Sequence, residues 1–561
     1  MAGNLLTPLL VWGDFTITST PQAELIKESA VGNLLFSDVY IDGRATKQGT
    51  VKIYARICRK TRASVMPAMV IFNDFEKSFG DQILIDFANK GYLAILVDLA
   101  GKVADKEYYT IYPSDVSYAN YSQAKGNLLE IESNVKSTCY YEWGAVGRYV
   151  TAYLQKQNCV SKIGGLGIGD SATTMWHLAA TDKNLHACAF IMNAGWMSSK
   201  GSFKFDNAVD SQYSDNMLKF IAGVEPESYA QHVSCPTLVL SSLNGEDYDC
   251  DRVYDTVDKI KQDVYRGVYY TQGYLNSIDQ VGIFNMYLFF SEFLDKCEGI
   301  LPNEPILKAE VVKNKIVCEV SVDPNFKDVT LYYAENTLNP VLRVWHKLTN
   351  YKVNEEGKCI FNLPVSANVN LITFFASVKH KNGFCLSTNI LAKKFTMAEG
   401  EPVKVKVVYS GREIGSESIF ISAKDGRENQ TKYLEQDSAY DVYRKNGPME
   451  IAGIYCKAGL MTFKINTKKD KPNQDAILML DVFAKEEGEL TVTLICDYQG
   501  NKTEYVAKAK VVGGRVWHNV MFEISKFKTE EGRLIKSFDN VNAICFNVSG
   551  TEYLINNVLW I

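Results

Sequence analysis

Histidine is scarce in this 561-residue chain, which carries six. None falls in a clustered Cys/His spacing, so no structural zinc site is expected. No C-x-x-C pair occurs, and the thirteen cysteines are an odd number. That usage fits a reduced compartment, the cytoplasm, rather than a disulfide framework. No stretch reaches the roughly 18 consecutive apolar residues that a membrane-crossing helix needs. Long runs of one charge are also missing, and the net charge is −5. Neither nucleic acid nor an anionic membrane is therefore expected as a partner. The opening MAGNLLTPLLVWGDF is apolar but has no basic segment before it, and Pro8 and Asp14 interrupt it. It reads as a segment docked on a core or a partner, not as a signal peptide.

What is present is an ordinary globular composition, 46% hydrophobic, at a length that suits about three domains with ample core. The chain centres on SKIGGLGIGDSATTMWHLAAT, residues 161–181. Lys162 to Leu166 predicts a short buried strand, Gly167 to Ser171 a tight turn, and Thr173 to Ala180 a helix burying Met175, Trp176 and Ala179. Small residues on both sides of one central position suit a strained apex and a helix packed close on its strand. Around it, Val51–Cys58, Ala68–Phe72 and Tyr92–Asp98 read as strands, and Gln82–Lys90 and Tyr141–Gln155 as amphipathic helices. Ala187–Met192, Pro236–Ser241 and Val268–Thr271 are further strands. Strands alternating with helices predict a parallel sheet covered on both faces.

The strand, turn and helix at 161–181 resemble the nucleophile elbow of the α/β-hydrolases, especially the acetyl-xylan-esterase and dienelactone-hydrolase branch. The resemblance implies a doubly wound, mostly parallel α/β-hydrolase sheet over residues 1–300. One register puts Gly169 at the nucleophile position between Gly167 and Ser171, and an earlier one puts Gly167 there. A later register, Gly169-Asp170-Ser171-Ala172-Thr173, offers Ser171 as the nucleophile. GYLAILVDLAGK resembles the family's "GY-x-V-x-x-x-D-x-R-G" segment, with Asp98 and Gly101 in place. The oxyanion loop after Phe72, where the family usually has a His-Gly pair, reads Asn73-Asp74-Phe75. Asp74 puts a negative charge where one should be stabilised. The acid would come from Glu246, Asp247 or Asp249, with Asp247 the choice.

The family's histidine would follow Thr271, yet Gln272 to Asp279 contains none. His177, His186 and His232 read as structural. A serine hydroxyl is a weak nucleophile without an adjacent base. Residues 197–234 form a cap-like insertion, with Trp196 read as core, and Phe284–Cys297 predicts the closing helix.

Leu301 to Pro305 is a linker. Residues 306–398 show strands at Ile316–Val322, Val329–Tyr333, Leu371–Val378 and Ser387–Lys394, with Arg343-Val344-Trp345 as a packed strand. They resemble a β-sandwich of immunoglobulin or fibronectin-III type, giving a second domain at 301–398. From 399 to 561 a further β-rich domain resembles jelly-roll carbohydrate-binding modules, on VWHNVMFEISKF and VSGTEYLINNVLWI. That resemblance implies carbohydrate as a partner, with Tyr440, Tyr443, Trp517 and Tyr553 as stacking candidates, although core packing explains them too. The usual terminal aspartate is Asn556 or Asn557, so no metal is expected, and no cofactor is implied anywhere. Three functions follow. One is a catalytically degenerate, esterase-like protein with a binding or structural role. Another is an active carbohydrate esterase using Ser171 with an unlocated base. The last is a self-assembling protein, a homo-oligomer packed through its sandwiches and apolar N-terminus.

Overall fold

A computed structural model describes residues 5–61, 65–75, 81–103, 106–206, 213–245, 248–271, 278–295, 299–312, 315–365, 369–395, 406–411, 415–424, 441–514 and 516–561. The first part is built on a nine-stranded mixed sheet. Its strands are β1 (Ala23–Val31), β2 (Leu34–Thr46), β3 (Gly49–Lys60), β4 (Met66–Phe72) and β5 (Leu93–Val97), then β6 (Val160–Ile168), β7 (Leu185–Ile191), β8 (Thr237–Ser242) and β9 (Arg266–Thr271). The order is β1-β2-β3-β5-β4-β6-β7-β8-β9. β1, β2, β3 and β5 pair antiparallel in succession, and β5 through β9 are mutually parallel.

The parallel strands are short apolar runs because both faces are covered. Helices α1 (Pro8–Trp12), α2 (Gln82–Asn89), α3 (Tyr121–Ala124), α4 (Cys139–Gln155) and α5 (Ala172–Thr181) precede α6 (Asp215–Gly223), α7 (Pro226–Ala230), α8 (Val253–Val257) and α9 (Gln280–Leu294). α2 and α9 cover one face, their Phe87, Met286, Phe289 and Phe290 packing with Met69, Ile71 and Leu166. α4, α5 and α7 cover the other with Trp143, Trp176 and Tyr229. The apolar N-terminus does dock on this core. Trp12 stacks on Tyr141 at 5.0 Å and donates from Nε1 to Tyr229 at 3.2 Å. Its ring fills the notch left by Gly144, where a Cβ would stand 2.4 Å away. β1 is the sheet's outer edge and is exposed almost throughout, with a bulge between Leu25 and Lys27.

Beyond residue 300 the described structure is all β. β10 (Ile306–Val312), β11 (Lys315–Ser321), β12 (Phe326–Glu335), β13 (His346–Leu348) and β14 (Lys352–Val353) are followed by β15 (Cys359–Pro364), β16 (Leu371–His380), β17 (Cys385–Ser387) and β18 (Leu391–Lys394). They form two antiparallel sheets sharing one core that includes Ile316, Val329, Phe361 and Phe374. The expected strand Ser387–Lys394 is thus split between β17 and β18. Ser387 Oγ accepts from Tyr270 N, and Asn285 brackets the Cys385 backbone with both side-chain atoms. These bonds hold β17 against β9 and α9.

Arg343-Val344-Trp345 is not a strand. It follows a 3-10 turn at Pro340–Leu342 and runs as irregular chain toward the first sheet. The last part holds two more antiparallel sheets around Leu478, Leu494, Phe546 and Trp560.

Candidate functional site

Strand β6 runs two residues past its expected end, to Ile168, and Gly169–Ser171 makes one 3-10 turn before α5. Gly169 is the apex, with φ +61°, a left-handed conformation that favours glycine. Its carbonyl accepts from Asn193 Nδ2 at 3.0 Å. Gly167 lies in the strand, not at the apex. A Cβ there would stand 2.6 Å from Ala172 Cα, so its smallness lets α5 start directly against β6. Backbone cannot yield as a side-chain tip can. Gly167→Ala is expected to cost about 1–3 kcal/mol of stability, the usual range for overpacking, as read from denaturant unfolding. A loss under half a kilocalorie would contradict the close approach.

Ser171, the alternative nucleophile, is fully buried. Its Oγ lies 2.9 Å from the carbonyls of Phe72 and Ile168, joining the ends of β4 and β6. A hydroxyl donating its one proton to a backbone carbonyl inside the core is engaged there, and no base among the described residues bonds it. Asp170 accepts from Tyr248 OH at 2.7 Å. In the loop after β4, the Asp74 N–H donates to Asn73 Oδ1 at 2.9 Å, so that donor is already engaged.

The histidines lie elsewhere. His177 is buried on α5, stacks on Tyr229 at 4.0 Å and reaches the Val224 carbonyl with Nε2 at 2.7 Å. Burial pulls its pKa down to about 4, against the opposing pull of that carbonyl. His186 is exposed on β7 and accepts from Ile163 N, and His232 follows α7. None lies at the apex. Asp247 and Glu246, and residues 272–277 of the loop after β9, fall outside the described residues.

Two acidic groups sit at this end of the sheet, and of their members the sequence singled out Asp249 alone. Asp251, just past β8, makes a fully buried ion pair with Arg343, with Nη2 2.6 Å from Oδ2. Arg343 also donates to the carbonyls of Thr337 and Leu338. Asn244 Nδ2 lies within 3.1 Å of the Pro340, Val341 and Arg343 carbonyls, clamping the same segment. Asp249 caps the turn at Asp251 N and faces Arg252 Nε at 3.2 Å. Burial, then the Asp251 charge, push it up to about 6. Asp249, Cys250 and Asp251 have metal-ligand spacing, but both carboxylates already face guanidinium groups, which suits charge neutralisation rather than a cation.

The second group is Glu225 and Glu227, both buried. Glu225 accepts from Trp196 N and from Ser198 N, the latter at 2.7 Å. Trp196 itself is left-handed at φ +71° and flanked by Arg252 and Lys259. Burial and the neighbouring Glu225 charge push Glu227 up to about 9. A sequence signal existed in the E-P-E spacing within an apolar context, but nothing local marks both side chains as buried.

Of the stacking candidates, Tyr440 falls outside the described residues. Tyr553 is core, its OH on the Cys456 carbonyl at 2.9 Å. Trp517 is half-buried over Gly447 and Gly453, with Nε1 on Pro448 O. Tyr553 thus packs inside the core, while Trp517 packs on the two glycines and stays partly open. Tyr443 is exposed and bonds Asp441.

No family model and no curated protein matches the chain. Solved structures do. An acetyl xylan esterase from Paenibacillus sp. is 11% identical, with a TM-score of 0.38, covering 51% of this chain and 92% of that one. An acetyl xylan esterase from Thermoanaerobacterium sp. is 11% identical, with a TM-score of 0.36 and coverage of 50% and 89%. A putative dienelactone hydrolase from Klebsiella pneumoniae is 13% identical, with a TM-score of 0.32 and coverage of 47% and 100%. No helix among the described residues is long and apolar enough to cross a membrane.

Proposed function

We propose that the protein is a catalytically degenerate, esterase-like α/β protein with a binding or structural role. In this reading, residues 1–300 are a hydrolase-like domain. Residues 301–398 and 399–561 are immunoglobulin-like and carbohydrate-binding-module-like sandwiches. The observation that carries it is the apex of the β6–α5 turn. The position where an elbow presents its nucleophile holds Gly169, which has no side chain to react. Three further features support it: the Ser171 hydroxyl spent on backbone carbonyls, the absence of histidine from residues 272–279, and the engaged Asp74 N–H.

Purified protein should show no turnover above buffer on acetylated sugars or aryl acetates. Loss of nucleophile and base together removes a unit worth on the order of a million-fold in rate. Gly169→Ser alone should restore nothing, since no base returns with it. Ester hydrolysis by the wild type that disappears in Ser171→Ala would replace this reading with the active-esterase one.

A further inference from the structure

A cleft of about 230 Å³ opens where the three parts of the chain meet. Its first wall is Leu243 and Asn244, on the loop after β8, with Asp279 at the start of α9. This is the carboxyl edge of the parallel strands, where open α/β sheets place their ligands. The second wall is Tyr332 with Arg343, Val344, Trp345 and Lys347, on the segment held by the Arg343–Asp251 pair, and the third includes Glu417, Phe420 and Phe463.

Two lining groups have unmet hydrogen-bonding capacity. Trp345 is 5% exposed, and its indole Nε1 is buried without a hydrogen-bond partner. Glu417 Oε2 is likewise buried without one, its nearest cation being Arg444 at 3.8 Å. A buried donor or acceptor left unmade is costly, so each such group calls for an explanation. The charges along the walls balance. Arg343 is neutralised by Asp251 and Glu417 stands 3.8 Å from Arg444, which leaves Lys347, set 5.8 Å from the centroid of the Tyr332 ring, against Asp279. A strongly anionic or cationic guest would face an opposing charge on one wall. The aromatic sides of Tyr332, Trp345 and Phe420 instead favour a flat, partly apolar ring.

We propose that this junction is a binding site for a neutral, hydroxyl-bearing ring about the size of one hexose, which accepts from Trp345 Nε1 and donates to Glu417. The site stands apart from the Gly169 turn, and its occupancy does not depend on whether that turn is catalytic. Binding is read on the full chain by saturation-transfer NMR and tryptophan fluorescence, with D-glucose and myo-inositol as probes and inorganic phosphate and tetramethylammonium as charged comparisons. At least one neutral probe should bind saturably and both charged ones should not. Trp345→Phe keeps the ring, loses the N–H and should weaken binding roughly five-fold. Glu417→Gln replaces a charge-assisted bond by a neutral one and should weaken it roughly five- to ten-fold. Glu417→Gln lies at the cleft margin and serves as the test if Trp345→Phe does not fold. No saturable binding of either neutral probe, preference for a charged one, or binding unchanged in the folded variants would each overturn the assignment.

Discussion

Arg343→Met should lower the free energy of unfolding by about 3–5 kcal/mol. The size follows from what is left behind. Asp251 would remain a fully buried carboxylate with its cation gone, and the carbonyls of Thr337 and Leu338 would lose their donors. Adding Asp251→Leu removes the stranded charge. A buried ion pair replaced by apolar groups of similar volume is often neutral or better, so the double variant should recover most of the loss. Urea unfolding of the wild type, both single variants and the double variant closes the cycle. Additive single losses would mean that the pair does not act as a unit.

Glu227→Gln should do the opposite and stabilise the protein, by about 3–4 kcal/mol at neutral pH. In an unfolded chain Glu227 gives up its proton near 4.5, and in the fold it keeps it to about 9. Between those values the native state holds the extra proton. Stability therefore falls as pH rises, by about 1.4 kcal/mol per unit. Glutamine resembles the protonated acid and cannot ionise, so it escapes that slope. Its advantage should vanish below about pH 4.5 and grow toward alkaline pH. Paired unfolding curves at pH 5 and pH 8 decide the matter: a difference that stays flat with pH refutes the buried-proton account.

Much of the sheet was legible because its evidence is local. Val51–Cys58, Ala68–Phe72 and Tyr92–Asp98 are apolar runs, and each lies on a strand within two or three residues of its expected ends. The turn was legible from its glycines, although it spans Gly169–Ser171 and Gly167 belongs to β6. β1 was not, since AELIKESAV at an exposed edge carries no burial pattern to read. Arg343 was missed for another reason. Between Val341 and Trp345 it looks like one more residue of a packed β segment, and its partner Asp251 lies 92 positions earlier. Periodicity reports which face of an element is buried, but not which distant charge will meet it. The Glu225–Glu227 pair was hidden in the same way, because carboxylates in an insertion ordinarily face water. Both surprises are buried ionisable groups whose meaning lies in partners distant along the chain.

The Arg343–Asp251 pair also bears on the order in which the chain can finish folding as it is made. Asp251 leaves the ribosome 92 residues ahead of its arginine, an interval of about 5–20 s at ordinary elongation rates. Through that interval the end of β8 holds a carboxylate that cannot be buried without its counter-ion. β9 and α9 wait longer still for the Ser387 hydroxyl and the Cys385 backbone, which the Tyr270 amide and the Asn285 side chain bind. The far end of the sheet is thus completed by chain synthesised after it, so that the nascent protein keeps its β8–β9 edge solvated until the following β segment arrives.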